Sequence, residues 1–272
     1  MKDRYLVLGN PIEHSLSPDI HAQFANETGQ SIEYDRRLVD VDGFESAIQG
    51  IKKEGIAGAN VTVPFKEAAY AVADESSPRA QKAGAVNTLV FREDGSIYAD
   101  NTDGAGLVND IKINHERSIT GKRILILGAG GAVRGVLKPL IDEGPASITI
   151  ANRTVEKAAL LRDIYDGEFP ISVSGFEELS GQQFDIIING TSLGLQGKVA
   201  PLPSGILSES ALAYDMMYGD GSLPFQGWAK NQGAELVLDG LGMLVGQAAE
   251  SFYLWRGVRP ESAAVIKAMR DS

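Results

Sequence analysis

The stretch Lys122–Gly144, "KRILILGAGGAVRGVLKPLIDEG", decides the fold. Ile124 to Leu127 form an apolar run without polar alternation, as in a strand covered on both faces. Gly128, Gly130 and Gly131 then permit a tight turn, and the chain continues at helical spacing to Gly144. Strand, glycine turn and helix in that order open a βαβ unit. Working outward, "ASITIANRTVEKAALLRD" (146–163) repeats the unit, and "FDIIINGTS" (184–192), "LAYDMMYG" (212–219) and "AELVLDG" (234–240) supply further apolar strands. Short buried strands separated by helices predict a doubly wound parallel sheet.

Toward the N-terminus the same alternation of element types continues. "RYLVLGNP" (4–11) and "IEYDRRLV" (32–39) read as strands, "SPDIHAQFANETG" (17–29) and "GFESAIQGIKKEG" (43–55) as helices. "AVNTLVFREDGSIYADNTDG" (85–104) predicts a hairpin turning at Asp94-Gly95. In "GANVTVPFKEAA" (58–69), Ala59, Val61 and Val63 alternate with Asn60, Thr62 and Pro64, which predicts a strand with one polar face and Lys66 at its exit. "GLGMLVGQAAESFYLWRG" (240–257) predicts a long helix with an apolar stripe of Leu241, Leu244, Val245, Ala248, Phe252 and Trp255. The reading is therefore α/β, with two α/β domains, the second a Rossmann-like doubly wound parallel sheet. Residues 1–103 plus 240–272 are expected to form one domain and 104–239 the other, so the chain passes between them twice.

Composition narrows the function. A net charge of −11 with no Lys/Arg block argues against a nucleic-acid partner. No window reaches the roughly 18 apolar residues of a membrane span, which predicts no membrane partner and a cytoplasmic location. Zero cysteines exclude thiolate chemistry, and three histidines make a histidine metal site an unsupported reading. An anionic ligand would have to be held by local donors against an unfavourable mean field.

The glycine turn is a dinucleotide signature, although Val133 occupies the third small position of G-x-G-x-x-G/A. About 20 residues on, where an NAD site carries an acidic residue, the second strand ends in Asn152, Arg153 and Thr154, with Lys157 one turn later. Arginine attracts a 2′-phosphate that a carboxylate would repel, so NADP is favoured over NAD. Thr154 reads as the cap of the following helix. The plainer reading of Arg153 is a solvated surface arginine.

Other polar residues each admit a plain reading. Lys66 suits the start of a surface helix, Asp103 in "DNTDG" suits an N-cap, and Ser17-Pro18 suits a helix start. Asn60 and Thr62, on a strand otherwise built for burial, need partners, and a polar ligand would supply them. Ser15 has less structural excuse.

Taken in order, "GNPIEHSLSPDIH", "GANVTVPFKE", "GAVNT", "DNTDG", "GAGGAVRG", "ANRT", "DMMYG" and "DGLGMLVGQA" resemble the shikimate dehydrogenase family along nearly the whole chain. The resemblance implies NADP-dependent, reversible reduction of 3-dehydroshikimate to shikimate in the chorismate and aromatic amino-acid pathway. It implies that Ser15 and Ser17 bind the substrate carboxylate, and that Asn60, Thr62, Asn87 and Asp103 contact ring hydroxyls. Lys66, paired with Asp103, matches the catalytic lysine, and Tyr218 and Gln247 complete the substrate pocket. Gly128, Ala129, Gly130, Gly131, Ala132, Asn152, Arg153, Thr154, Lys157, Met216 and Gly240 match cofactor contacts. The acidic residue that the family often carries after the lysine helix falls on Pro78, so that contact is not carried over. Val133 stands where Ser or Ala is commoner.

Three rival readings remain. A quinate or dual quinate/shikimate dehydrogenase differs by one ring hydroxyl that no residue excludes. A folate-linked dehydrogenase leaves Ser15 and Ser17 without purpose, and an NADP-sensing module leaves Lys66 and Asp103 without purpose. A homodimer is an open assembly.

Overall fold

The computed structural model describes residues 2–271. The chain divides into two units, one formed by the residues up to Gly106 together with those from Leu244 onward, the other by Leu107–Met243.

The first unit contains β1 (Asp3–Gly9), α1 (Ser17–Thr28), β2 (Ile32–Leu38), α2 (Phe44–Lys53), β3 (Gly58–Val61), α3 (Lys66–Ala71), β4 (Glu75–Ser76), α4 (Pro78–Ala83), β5 (Thr88–Phe91) and β6 (Ile97–Asp100). Its sheet runs β2-β1-β3-β5-β6-β4. Strand β1 pairs in parallel with β2 and β3, whereas β5 is antiparallel to both β3 and β6. Alternate residues separate the two faces. Leu6, Leu8, Ala59 and Val61 pack with Phe44, Ile48 and Ile51 of α2 in one core. Tyr5 points the other way and stacks on Trp255 at 4.5 Å. The expected hairpin is present, and Gly95 takes φ +85° in its turn.

Strand β3 is shorter than its alternation suggests. The chain turns at Thr62, where the Phe65 N–H returns to the Thr62 carbonyl at 3.0 Å, leaving Val63 exposed. Proline at 64 offers no N–H to continue the ladder. Gly58 leaves room for an aromatic anchor, because a Cβ there would lie 2.5 Å from Trp255 Nε1. That indole donates to the Leu89 carbonyl at 3.0 Å.

Helix α5 (Asp103–Asn109) begins in the first unit and carries the chain into the second, leading through a π turn (Asp110–Asn114) to β7 (Arg123–Leu127), α6 (Gly131–Asp142), β8 (Ser147–Ala151), α7 (Val155–Asp163), β9 (Ile171–Ser174), β10 (Phe184–Asn189), β11 (Leu207–Asp215), α8 (Leu223–Asn231) and β12 (Leu236–Leu238). Helix α9 (Leu241–Arg256) then returns to the first unit, which ends with α10 (Ser262–Arg270). The second sheet runs β12-β11-β10-β7-β8-β9, and its pairings are all parallel. Read from its other edge this is the doubly wound order, with the reversal between β7 and β10. Ile124 and Ile126 face one core while Leu125 and Leu127 face another, which accounts for the unbroken apolar run.

Helix α9 departs from its expected one-sided stripe. Glu250, opposite the apolar positions, and Ser251, at their edge, are also buried, so this helix is enclosed on most sides. Among the described residues, no helix is long and apolar enough to cross a membrane.

The core of the first unit holds one unusual group. His21 on α1 is fully buried, stacks on Tyr34 at 4.2 Å, and completes no hydrogen bond at either ring nitrogen. Burial, opposed by nearby Asn60, pushes its pKa down to about 3. The unfolded chain therefore takes up a proton below pH 6.5 that the folded chain refuses until about pH 3, and stability falls as pH drops through that window. His21→Phe keeps the ring stack and removes the titration. Urea unfolding at pH 7 and pH 5 should show a loss of stability about 2 kcal/mol smaller in the variant than in the wild type. Equal losses would show that the imidazole is not held neutral.

Candidate functional site

In the first unit the polar residues singled out by sequence form one connected network. Asn60 lies on β3 opposite the α2 face, and protein groups engage both ends of its amide. Its Nδ2 donates to Ser251 Oγ at 2.9 Å and the Asn87 carbonyl at 3.1 Å, while Oδ1 accepts from Tyr34 OH at 2.7 Å. The expected need for a ligand at Asn60 is thus met by α9 and β2. Thr62 is half-buried, and its hydroxyl takes no protein partner among the described residues.

Lys66 opens α3, behind Phe65, which stacks on Phe44 at 5.0 Å. Its carbonyl accepts from Val86 N at 2.9 Å, fixing the backbone from which the side chain departs. Lys66 Nζ lies 2.5 Å from Asp103 Oδ2, with the two side chains only 16% and 8% exposed. The plain reading of Asp103 as a cap fails on geometry. Asp103 is the first residue of α5, Asn101 Oδ1 accepts its N–H at 3.2 Å, and its carboxylate turns to Lys66 and Asn87.

Asn87 is the hub. Its Nδ2 is within hydrogen-bond distance of Asp103 Oδ1 (2.8 Å), Thr102 Oγ1 (2.9 Å) and Gln247 Oε1 (3.1 Å), while Oδ1 accepts from Thr102 N at 2.9 Å. Gln247, on α9, also donates to the Leu244 carbonyl at 2.8 Å.

The two serines meet at the start of α1. Leu16, not Ser17, occupies the N-cap, and no side chain caps this helix. Ser15 and Ser17 hydroxyls lie 3.2 Å apart, and Ser17 N donates to Ser15 Oγ at 3.3 Å. The buried Ser17 hydroxyl also neighbours that of Tyr34.

Sequence reasoning missed the support behind this network. Asp100, 3% exposed, accepts from Arg79 Nε at 2.8 Å and Nη2 at 2.6 Å, from Asn101 N at 2.7 Å, and from the Ser77 hydroxyl. This fork clamps the corner from which Thr102 and Asp103 emerge. Pro78, the departure noted in the sequence, opens α4 behind its cap Ser77. Only the Arg-Asp pairing chemistry could have flagged the clamp, and Arg79 and Asp100 stand 21 residues apart.

In the second unit the glycine turn has the form that a pyrophosphate requires. Gly128 adopts φ +102°, and a Cβ there would lie 3.0 Å from the Gly190 carbonyl oxygen. Gly130 is the N-cap of α6 without a side-chain cap, so the helix's first amides stay open. A Cβ at Gly130 or Gly131 would meet no protein atom, so the protein itself leaves open space over the turn. Ala129 and Ala132 flank it. Arg153 and Lys157 are exposed and form no ion pair among the described residues. Thr154 holds the N-cap position of α7 but makes no side-chain cap bond; instead its carbonyl accepts from Asn152 Nδ2 at 2.8 Å. These residues fit a phosphate-bearing dinucleotide.

At the ends of β10 and β11, Met216 N donates to the Asn189 carbonyl at 2.9 Å. Gly240 N donates to the Met217 carbonyl at 2.8 Å, and a Cβ at 240 would strike the Met216 carbonyl. Tyr218 follows, 37% exposed. Buried Asp215 accepts from Met217 N at 2.9 Å and Asn189 Nδ2 at 3.1 Å. Burial, opposed by these donors and reinforced by Asp239, lifts its carboxyl to about 6.

Comparison with known proteins agrees along the chain. Residues 7–89 match the shikimate dehydrogenase substrate binding domain, 111–195 match shikimate / quinate 5-dehydrogenase, and 240–270 match the shikimate 5'-dehydrogenase C-terminal domain. A shikimate dehydrogenase (NADP(+)) of Alkalilimnicola ehrlichii is 54% identical over 270 residues, covering 99% of each chain. The crystal structure of an Ael1 enzyme from Pseudomonas putida superposes with a TM-score of 0.93 at 46% identity, covering 98% of each chain. A Thermus thermophilus shikimate 5-dehydrogenase, solved in complex with NADP(H) and shikimate, gives 0.85 at 29% identity, covering 99% of each chain.

The unusual Val133 has a structural counterpart. It is fully buried, and a Cβ at Gly190 would lie 2.5 Å from Val133 Cγ2. Gly190→Ala should cost about 1–3 kcal/mol by overpacking. The Val133→Ala/Gly190→Ala double variant should be more stable than the sum of the single effects by on the order of 1 kcal/mol. Thermal unfolding of all four proteins checks this, and strict additivity would refute the pairing.

Proposed function

This chain belongs to the shikimate dehydrogenase family, and from that premise we propose that Lys66 and Asp103 handle the proton as it interconverts 3-dehydroshikimate and shikimate. It is an NADP-dependent oxidoreductase. The observation that carries the proposed role is the pair itself, an ammonium 2.5 Å from a carboxylate, both largely buried and 37 residues apart. We assign the substrate to residues 1–103 plus 240–272 and NADP to residues 104–239.

When bound, the cofactor supplies the hydride for reduction or accepts it in the reverse direction. As hydride reaches the carbonyl carbon, negative charge gathers on its oxygen, and Lys66 Nζ donates a proton there. In oxidation the neutral amine takes the hydroxyl proton. Asp103 orients the Lys66 head and stabilises its charged form, while Asn87 holds Asp103 Oδ1 so that the carboxylate cannot rotate away. Ser15 and Ser17 take the substrate carboxylate. Thr62, with its uncommitted hydroxyl, and Asn87, Asp103 and Gln247 meet ring hydroxyls. Asn60, held by Ser251 and Tyr34, keeps a second lone pair on Oδ1 for a ring hydroxyl.

The Gly128–Ala132 turn receives the pyrophosphate on open backbone amides, with Met216 and Gly240 as further contacts. Asn152, Arg153, Thr154 and Lys157 receive the adenosine ribose and its 2′-phosphate. The match at 111–195 to a description naming both shikimate and quinate keeps quinate as the alternative substrate. Initial rates with each acid, paired with NADP⁺ and with NAD⁺, separate the readings. Shikimate with NADP⁺ should be the fastest pair, and a faster quinate rate would transfer the assignment.

Two substitutions test the roles. Lys66→Ala should lower kcat by at least about a thousandfold, within the upper range for general acid–base catalysis, while NADP⁺ affinity by fluorescence titration stays near normal. Wild-type turnover in Lys66→Ala would remove the lysine from the chemistry. Arg153→Ala should raise KM for NADP⁺ by about tenfold and leave that for NAD⁺ nearly unchanged, the signature of a lost phosphate contact. Parallel changes for both cofactors would place Arg153 elsewhere.

A further inference from the structure

We infer that Arg36 is a positioning residue that supplies positive charge to the Ser15/Ser17 subsite and makes it selective for a carboxylate. This rests on the assignment of those two serines to the substrate carboxylate. Arg36 lies on β2, and its Nε and Nη2 both donate to the Ser15 carbonyl oxygen, at 2.8 and 2.6 Å. A planar guanidinium forked onto one carbonyl fixes the Ser15 peptide plane, and with it the direction in which the hydroxyl leaves the backbone. The hydroxyls it orients are those that meet at 3.2 Å.

The charge matters as much as the fork. Neighbouring Arg37 is neutralised by a two-pronged contact with Glu54, 2.8 Å at each nitrogen. Arg36 has no such partner; its nearest carboxylate is Asp19 at 3.8 Å, on a side chain 66% exposed to solvent. Covalent geometry within one residue places the guanidinium about 7 Å or less from the Ser15 hydroxyl. At that range a unit charge near the surface is felt by an anion as roughly a tenfold preference. In a chain of net charge −11, two hydroxyls alone face a repulsive mean field, and Arg36 opposes it at the point of contact.

The test compares shikimate with its methyl ester, which keeps the ring and removes the charge. With NADP⁺ saturating, wild type should favour the acid in kcat/KM. Arg36→Gln should cut the acid-to-ester ratio about tenfold, the loss falling on KM for the acid, and Arg36→Lys should recover part of the ratio. An unchanged ratio in Arg36→Gln would overturn the inference, because a purely structural arginine would weaken acid and ester together. Wild type turning over acid and ester equally would instead defeat the Ser15/Ser17 assignment, and the inference with it. If Arg36→Gln does not fold, the wild-type enzyme decides. Raising salt should increase KM for the acid and leave that for the ester unchanged, and equal salt responses would overturn the inference.

Discussion

The arrangement of the first unit depends on the contact between Lys66 and Asp103. Taking both groups largely out of water is costly, and a lone pair seldom recovers that cost. Here the carboxylate gains a second donor in Asn87, and Asn87 is itself held by Thr102 and Gln247. A lysine at the first residue of a helix also runs against the helix dipole, whereas an aspartate at the start of α5 runs with it. The unfavourable placement persists where the opposing carboxylate compensates it. A residue so placed has been positioned for something other than stability.

The two units prepare their sites by opposite means. In the first, side chains are tied to one another before any ligand arrives, through Tyr34, Asn60, Ser251, Asn87 and Asp103. In the second, the protein removes side chains: Gly130 and Gly131 leave their surroundings open and α6 begins without a cap. A small polyhydroxy acid is distinguished by where its hydroxyls lie, which demands fixed partners. A pyrophosphate offers many equivalent oxygens, and bare backbone amides suffice for it. Orientation entropy is thus lost during folding in one case and hardly at issue in the other.

What could be read from the chain follows from the range of the forces involved. The β7 run and its glycine turn are local, and the doubly wound sheet was legible from them. The hairpin at Asp94-Gly95 and helices α1, α2 and α9 were legible for the same reason. Strands β4 and β9 are too short to show a period, and α10 escaped notice. Val63 misled because alternation continues in sequence after the ladder has ended at Val61. Asn60 misled differently: its partners lie on β2 and α9, so its satisfaction could not be seen locally. Lys66 and Asp103 were found by resemblance, whereas Arg79–Asp100 and Arg36–Ser15, equally long-range, carried no motif to betray them.

Charge gives the final constraint. An acidic chain that must hold an anionic substrate and a phosphorylated cofactor cannot rely on its overall field. Arginine usage reflects this. Arg37, Arg79, Arg92, Arg117, Arg123 and Arg259 are each matched by a carboxylate within hydrogen-bond distance. Arg153 has no such match among the described residues, and Arg36 has one only at 3.8 Å. A matched arginine presents little net charge to a ligand, whereas an unmatched one presents nearly all of it. Arg36 and Arg153 stand beside the proposed carboxylate and 2′-phosphate sites, where each presents its charge locally against the acidic balance of the chain.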